Sequence, residues 1–178
     1  QVTNHNMYLM SQKTRSDEHP PLLRSSAFIV VDEAHKLKEA AEDTFGERIC
    51  EKDIENYVTA VALLCSSACN KDKYKENLAE AVKESKALFA SLRRKRNPND
   101  VDEERGSIIS LTPFQHGKIA KLIHIIDRIE HMKVKRNHGI SVSGKLLVTA
   151  MTAINKSGKN TIWIDTDENG ILSLCSTP

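Results

Sequence analysis

Apolar residues recur along this chain in two rhythms. In residues 50–159 they fall three and four apart. Ile54, Val58, Val61, Leu64 and Ala68 form one stripe, and Leu78, Val82, Phe89 and Leu92 a second. Ile119, Leu122, Ile126 and Ile129 make a third, and Leu147, Met151 and Ile154 a shorter fourth. Such spacing lines one face of a helix, and separate helices with faces of this kind bury them against one another as a bundle. Thr112, Pro113, Phe114 and Gln115 read as a capping box with proline at the first helical position, which sets the start of the third helix. Residues 97–106, between the second and third helices, are polar and turn-rich and read as an exposed loop.

The flanks follow a different rhythm. Phe28, Ile29, Val30 and Val31 are a short apolar run with β-branched members, the pattern of a buried parallel strand. The tandem prolines at 20 and 21 exclude helix from residues 16–21. Residues 34–44 are good helix formers, and Gly46 stands where a helix stops. Near the C-terminus, two β-prone runs flank Asp167, Glu168, Asn169 and Gly170, and the Asn-Gly pair signals a hairpin with a connection longer than two residues. The expected fold is mainly α: a helical bundle inserted in a partial α/β domain, followed by a C-terminal β-hairpin. The expected divisions are residues 1–48, 49–159 and 160–178.

Composition adds limits to this outline. An apolar fraction of 39% supports a core, and 28% charged residues suit a solvated helical surface, whereas 4% aromatic residues argue against a β-sandwich. The net charge of +2 is nearly balanced, so any attraction to nucleic acid must be local. No apolar run approaches the roughly 18 residues of a membrane span. Residues 1–20 are polar throughout, unlike a signal peptide, and the absence of an initial methionine is read as a sign of an excised segment. Cys50, Cys65, Cys69 and Cys175 contain no C-x-x-C pair and read as small thiols of a reducing cytoplasm.

The chemistry concentrates where the apolar run ends, at Asp32, Glu33, Ala34 and His35. A strand delivering two carboxylates to its C-terminal edge matches the Walker B element of phosphate-loop ATPases, at the edge where open α/β sheets bind ligands. Asp32 is then the magnesium ligand, acting through the ion's water shell. Glu33 orients and deprotonates the attacking water, and His35 senses the γ-phosphate. Carboxylates also suit the start of any helix, and that alternative asks nothing of nucleotide chemistry.

Two stretches carry a family resemblance. VTNHNMYLM, residues 2–10, is similar to the segment with Thr-Asn-His that precedes the box in DinG/XPD-like superfamily-two DNA helicases, and VVDEAHKLKEAAEDTFG, residues 30–46, resembles their extended DEAH box. The resemblance covers about the first quarter of the chain. It implies a RecA-like motor domain interrupted by a helical Arch insertion, ATP and magnesium as cofactors, and 5′-to-3′ movement on single-stranded DNA in the service of DNA repair. It also singles out Asn4 and His5, although Asn4 reads equally as a helix cap. Members of this family often carry a four-cysteine iron–sulfur cluster ligated upstream of the box. Here every cysteine follows the box, at spacings that fit no such cluster, so none is expected in this chain.

The 178 residues contain no G-x-x-x-x-G-K-[ST] phosphate loop. The expectation is therefore that motor segments of the same protein complete the nucleotide site, and that these residues alone are inactive. A non-enzymatic helical interaction module with a fortuitous DEAH is the alternative. Two basic clusters are candidates for DNA contact. Arg93, Arg94, Lys95 and Arg96 either contact phosphates or simply end a helix where cations suit its dipole. Lys133, Lys135 and Arg136 carry the same two readings. His124, His131 and His138 are seven apart and share a helix face, but they lack the partners of a metal site.

Overall fold

The structure is a computed structural model. It describes residues 2–14, 22–24, 26–65, 71–95, 107–132, 138–156 and 160–177, with the backbone alone for residues 71 and 138–142. Residues Glu47–Ser176 form one compact unit, and the residues before it, with the C-terminal tip, form the other.

The first unit contains helix α1, His5–Lys13, and helix α2, Leu37–Phe45, preceded by a 3-10 turn at Ala34–Lys36. Asn4 caps α1, its Oδ1 accepting the Met7 N–H at 2.8 Å. That contact satisfies one of the amides a helix start leaves unpaired. The two helices pack together, burying Leu9 and Ser11 on α1 and Ala40 and Thr44 on α2. Lys13 Nζ closes one end by donating to the Thr44 carbonyl at 2.6 Å.

The expected strand at Phe28–Val31 is not formed. These residues lie outside any strand and stand 81%, 55%, 85% and 38% exposed. A parallel strand is stable only with hydrogen-bonded neighbours at its edges and layers over its faces. Among the described residues of the first unit there is no strand to pair with it. The partial α/β character expected of this region is therefore replaced by two helices and an irregular segment.

The second unit has helices α3, Glu51–Cys65; α4, Lys71–Arg93; α5, Pro113–His131; and α6, His138–Asn155. They bury Ile54, Leu78, Phe89, Leu92, Ile119, Leu122, Ile126, Ile129, Leu147, Met151 and Ile154 in one core. The stripe on α3 differs from its expected form. Its buried positions are Ile54, Tyr57 and Val61, whereas Leu64 is 46% exposed. The bundle seam includes the ring of Tyr57, a residue outside the expected stripe. Thr112 caps α5 as anticipated, with reciprocal side-chain bonds to Gln115.

Four antiparallel strands complete this unit: β1, Glu47–Cys50; β2, Ser107–Ile108; β3, Thr161–Thr166; and β4, Leu172–Thr177, in the order β1-β4-β3-β2. The β3–β4 hairpin turns through Asp167, whose amide donates to the Ile171 carbonyl, and through Gly170 at φ 76°. Ile162, Ile164, Leu172 and Leu174 join the helical core, as does Ile49 of β1. Residues 160–176, expected to return to the motor domain, thus lie within the same compact unit as the bundle. The loops expected at 16–21 and 97–106, with Cys69 and the cluster at Lys133, Lys135 and Arg136, lie outside the described residues.

Candidate functional site

The DEAH residues sit on an exposed turn at the head of α2. Asp32 Oδ1 accepts the Glu33 N–H at 2.9 Å, which holds the aspartate side chain against its own backbone. Glu33 occupies the left-handed region at φ 51° and ψ 46°. It is the only non-glycine residue with positive φ among those described. Side chains with a Cβ avoid this region, and departures of this kind cost about 1–2 kcal/mol and gather at functional turns. The Glu33 carbonyl then accepts the Lys36 N–H at 2.8 Å, starting the 3-10 turn.

The Glu33 carboxylate is engaged locally. His35 Nε2 lies 3.2 Å and Lys36 Nζ 3.4 Å from its Oε2. All three side chains are more than half exposed, so these contacts orient the group without stabilising the fold much. His5, at the start of α1, places Nε2 2.8 Å from the Asp32 carbonyl. The two segments carrying the family resemblance therefore meet through this hydrogen bond, between residues 27 apart in sequence. Periodicity gave no sign of that contact, and only the paired motifs pointed to both ends of it.

Magnesium prefers one or two carboxylates together with phosphate oxygens and water. Asp32, exposed and with one carboxylate oxygen engaged by an amide, fits such partial coordination through water. Among the described residues no group of three or more His, Cys, Asp or Glu side chains gathers as a metal cluster. His131 instead turns to its own helix, its Nδ1 lying 2.8 Å from the Asp127 carbonyl. His124 is exposed, and the His138 side chain lies outside the described set.

The basic run at the end of α4 is partly committed to the protein. Arg93 pairs with Glu51 at 2.5 Å, and Lys95 Nζ donates to the Ser110 carbonyl at 2.5 Å. Arg94 is exposed, and Arg96 lies outside the described residues. Arg93 and Lys95 thereby tie α4 to the start of α3 and to the segment leading into α5.

Cys50, Cys65 and Cys175 are free thiols. Burial raises all three above the usual thiol value, pushing Cys175 to about 11, with the Asp53 hydrogen bond adding to the rise at Cys50. Thiols held protonated in this way are poor nucleophiles and poor metal ligands at neutral pH.

Two polar contacts that sequence patterning missed lie inside the bundle. Glu84 of α4, 3% exposed, meets Lys118 Nζ at 2.5 Å and Lys121 Nζ at 2.8 Å, both from α5. The Lys118 hydrogen bond first, then that of Lys121, holds its carboxyl below the ordinary glutamate value. Tyr57 of α3 donates to Glu130 Oε1 of α5 at 2.7 Å. Burial first, then the Glu130 hydrogen bond, raises the tyrosine hydroxyl well above its usual value. A glutamate or tyrosine at a helical position carries no mark of its partner, so only the folded bundle reveals these pairs.

No protein-family model matches the chain, and no curated protein shows significant sequence similarity to it. No helix among the described residues is long and apolar enough to cross a membrane.

Proposed function

We propose that these residues belong to a DinG/XPD-like DEAH-box DNA helicase, contributing the DEAH turn of its first motor domain and a helical insertion of the Arch type. The observation that carries this reading is the hydrogen bond joining His5 to the Asp32 carbonyl, since it unites the two segments on which the resemblance rests. The left-handed Glu33 adds to it, because strained backbone gathers at functional sites. In this reading Asp32 anchors hydrated magnesium, Glu33 positions and deprotonates the attacking water, and His35 reports on the γ-phosphate. ATP hydrolysis drives 5′-to-3′ translocation on single-stranded DNA, and further motor segments of the same protein supply the phosphate loop. Magnesium, when bound with ATP, neutralises charge on the phosphates.

The test uses the product of the full reading frame, assayed for phosphate release with magnesium, ATP and single-stranded DNA. Glu33→Gln is expected to retain nucleotide binding and lose hydrolysis by roughly a hundredfold or more, because an amide cannot accept the proton from water. Asp32→Asn is expected to weaken the requirement-level response to magnesium. The 178 residues alone are expected to hydrolyse nothing, since positioning of the γ-phosphate depends on amides and a lysine that they do not contain. Equal turnover by the full product and its Glu33→Gln variant would overturn the proposal. It would favour the second reading, a helical interaction module, which draws its support from the self-contained core of the second unit.

A further inference from the structure

The hydrogen bond from His5 falls on one particular group, the carbonyl of the peptide that joins Asp32 to Glu33. A carbonyl can only accept, so Nε2 carries the hydrogen. The amide of the same peptide, the Glu33 N–H, donates to Asp32 Oδ1. Both polar groups of this peptide are therefore held, one by α1 and the other by the aspartate side chain. The angle φ of Glu33 is the rotation about its N–Cα bond, between that peptide and the Glu33 carbonyl carbon, so holding the plane removes one of the two freedoms that would let φ change. On the far side, the Lys36 N–H holds the Glu33 carbonyl. With the Glu33 carbonyl held too, the direction in which the side chain leaves the backbone is set. A left-handed glutamate costs about 1–2 kcal/mol, which contacts on both sides offset.

We propose that His5 is a positioning residue. By holding the Asp32 carbonyl it keeps Glu33 left-handed and aims the glutamate carboxylate. The conformational claim stands on the geometry alone, while its consequence for catalysis rests on the helicase reading above.

The conformational claim is tested by nuclear magnetic resonance on the 178-residue chain. A residue at positive φ brings its amide and α protons close together, giving a strong intraresidue Overhauser effect. That signal is expected for Glu33 in the wild type, and loss of it is expected in His5→Ala and His5→Asn. His5→Gln should restore it, because the terminal amide nitrogen of glutamine reaches about as far as histidine Nε2, whereas that of asparagine stops short, near the Nδ1 position. The Met7 amide, capped by Asn4, reports that α1 remains folded; should the alanine variant lose it, the asparagine variant carries the test. An unchanged Glu33 signal in a folded variant lacking the donor would overturn the proposal.

The catalytic consequence is read in the full product. His5→Ala should lower kcat by roughly tenfold to a hundredfold with little change in KM for ATP, as expected when a reacting group is misplaced but binding is kept. His5→Gln should recover most of kcat. A normal kcat for His5→Ala where Glu33→Gln abolishes hydrolysis overturns the positioning role in catalysis. Hydrolysis indifferent to Glu33→Gln overturns the helicase reading instead, and the resonance experiment then decides the conformational claim by itself.

Discussion

Replacing Gly144 with alanine should destabilise the bundle, although alanine is the better helix former. Gly144 lies in α6, where an added Cβ would stand 2.7 Å from Glu130 Oε1, 2.9 Å from Glu130 Cδ and 2.9 Å from Tyr57 Cε2. Cβ contacts under 3.0 Å essentially never occur, so something must move. Glu130 has a flexible side chain, but its carboxylate accepts the Tyr57 hydroxyl at 2.7 Å and can retreat only by leaving it. A hydrogen bond to a charged group contributes about 1.5–3 kcal/mol, and overpacking a core typically costs about 1–3 kcal/mol. Against these stands a gain of about 1 kcal/mol in helix propensity. The net loss is about 1.5–5 kcal/mol, which in a unit of this size lowers Tm by roughly 5–20 °C.

Thermal and urea denaturation of the wild type, Gly144→Ala, Tyr57→Phe and the double variant supply the measurement. Tyr57→Phe removes the hydroxyl that restrains Glu130, so the alanine should then cost less. A coupling of about 1 kcal/mol is the expected result. A Gly144→Ala chain that is as stable as the wild type, or strictly additive costs in the double variant, would refute the reasoning.

Two further outcomes follow from charges on the second unit. Glu84 titrates below its unfolded value, so the stability it contributes is present above the ordinary glutamate range and is lost as pH falls through the lower folded value. Glu84→Gln should therefore be less stable than the wild type at pH 7, with the gap between their urea midpoints narrowing below about pH 4. Alanine at Arg93, Arg94 and Arg96 together should weaken binding to single-stranded DNA regardless of sequence and reduce the slope of log K against log salt by about 2. Unchanged affinity and slope, measured by fluorescence anisotropy across a salt series, would assign the run to the helix end alone. Arg93 has that structural role already through Glu51.

Much of the helical unit was legible along the chain because the information is local. A helix repeats every 3.6 residues, so Leu78, Phe89 and Leu92, or Ile119, Ile126 and Ile129, declare one face without reference to any other segment. Thr112 and Gln115 cap the helix they begin, and Asn169 and Gly170 close the hairpin beside them, again at short range. What required the tertiary structure is whatever depends on a distant partner. The strands at Glu47–Cys50 and Ser107–Ile108 are too short to show a period and exist because β4 and β3 offer edges to them. Phe28–Val31 has the composition of a strand, yet composition supplies no neighbour, and the run stays unpaired and exposed. The DEAH letters were visible as letters. The left-handed turn at Glu33 and the histidine that grips the preceding carbonyl arise only when α1 is brought against that turn. A backbone conformation that is unfavourable by itself cannot be inferred from the residue that adopts it, because the contacts that maintain it come from elsewhere in the chain.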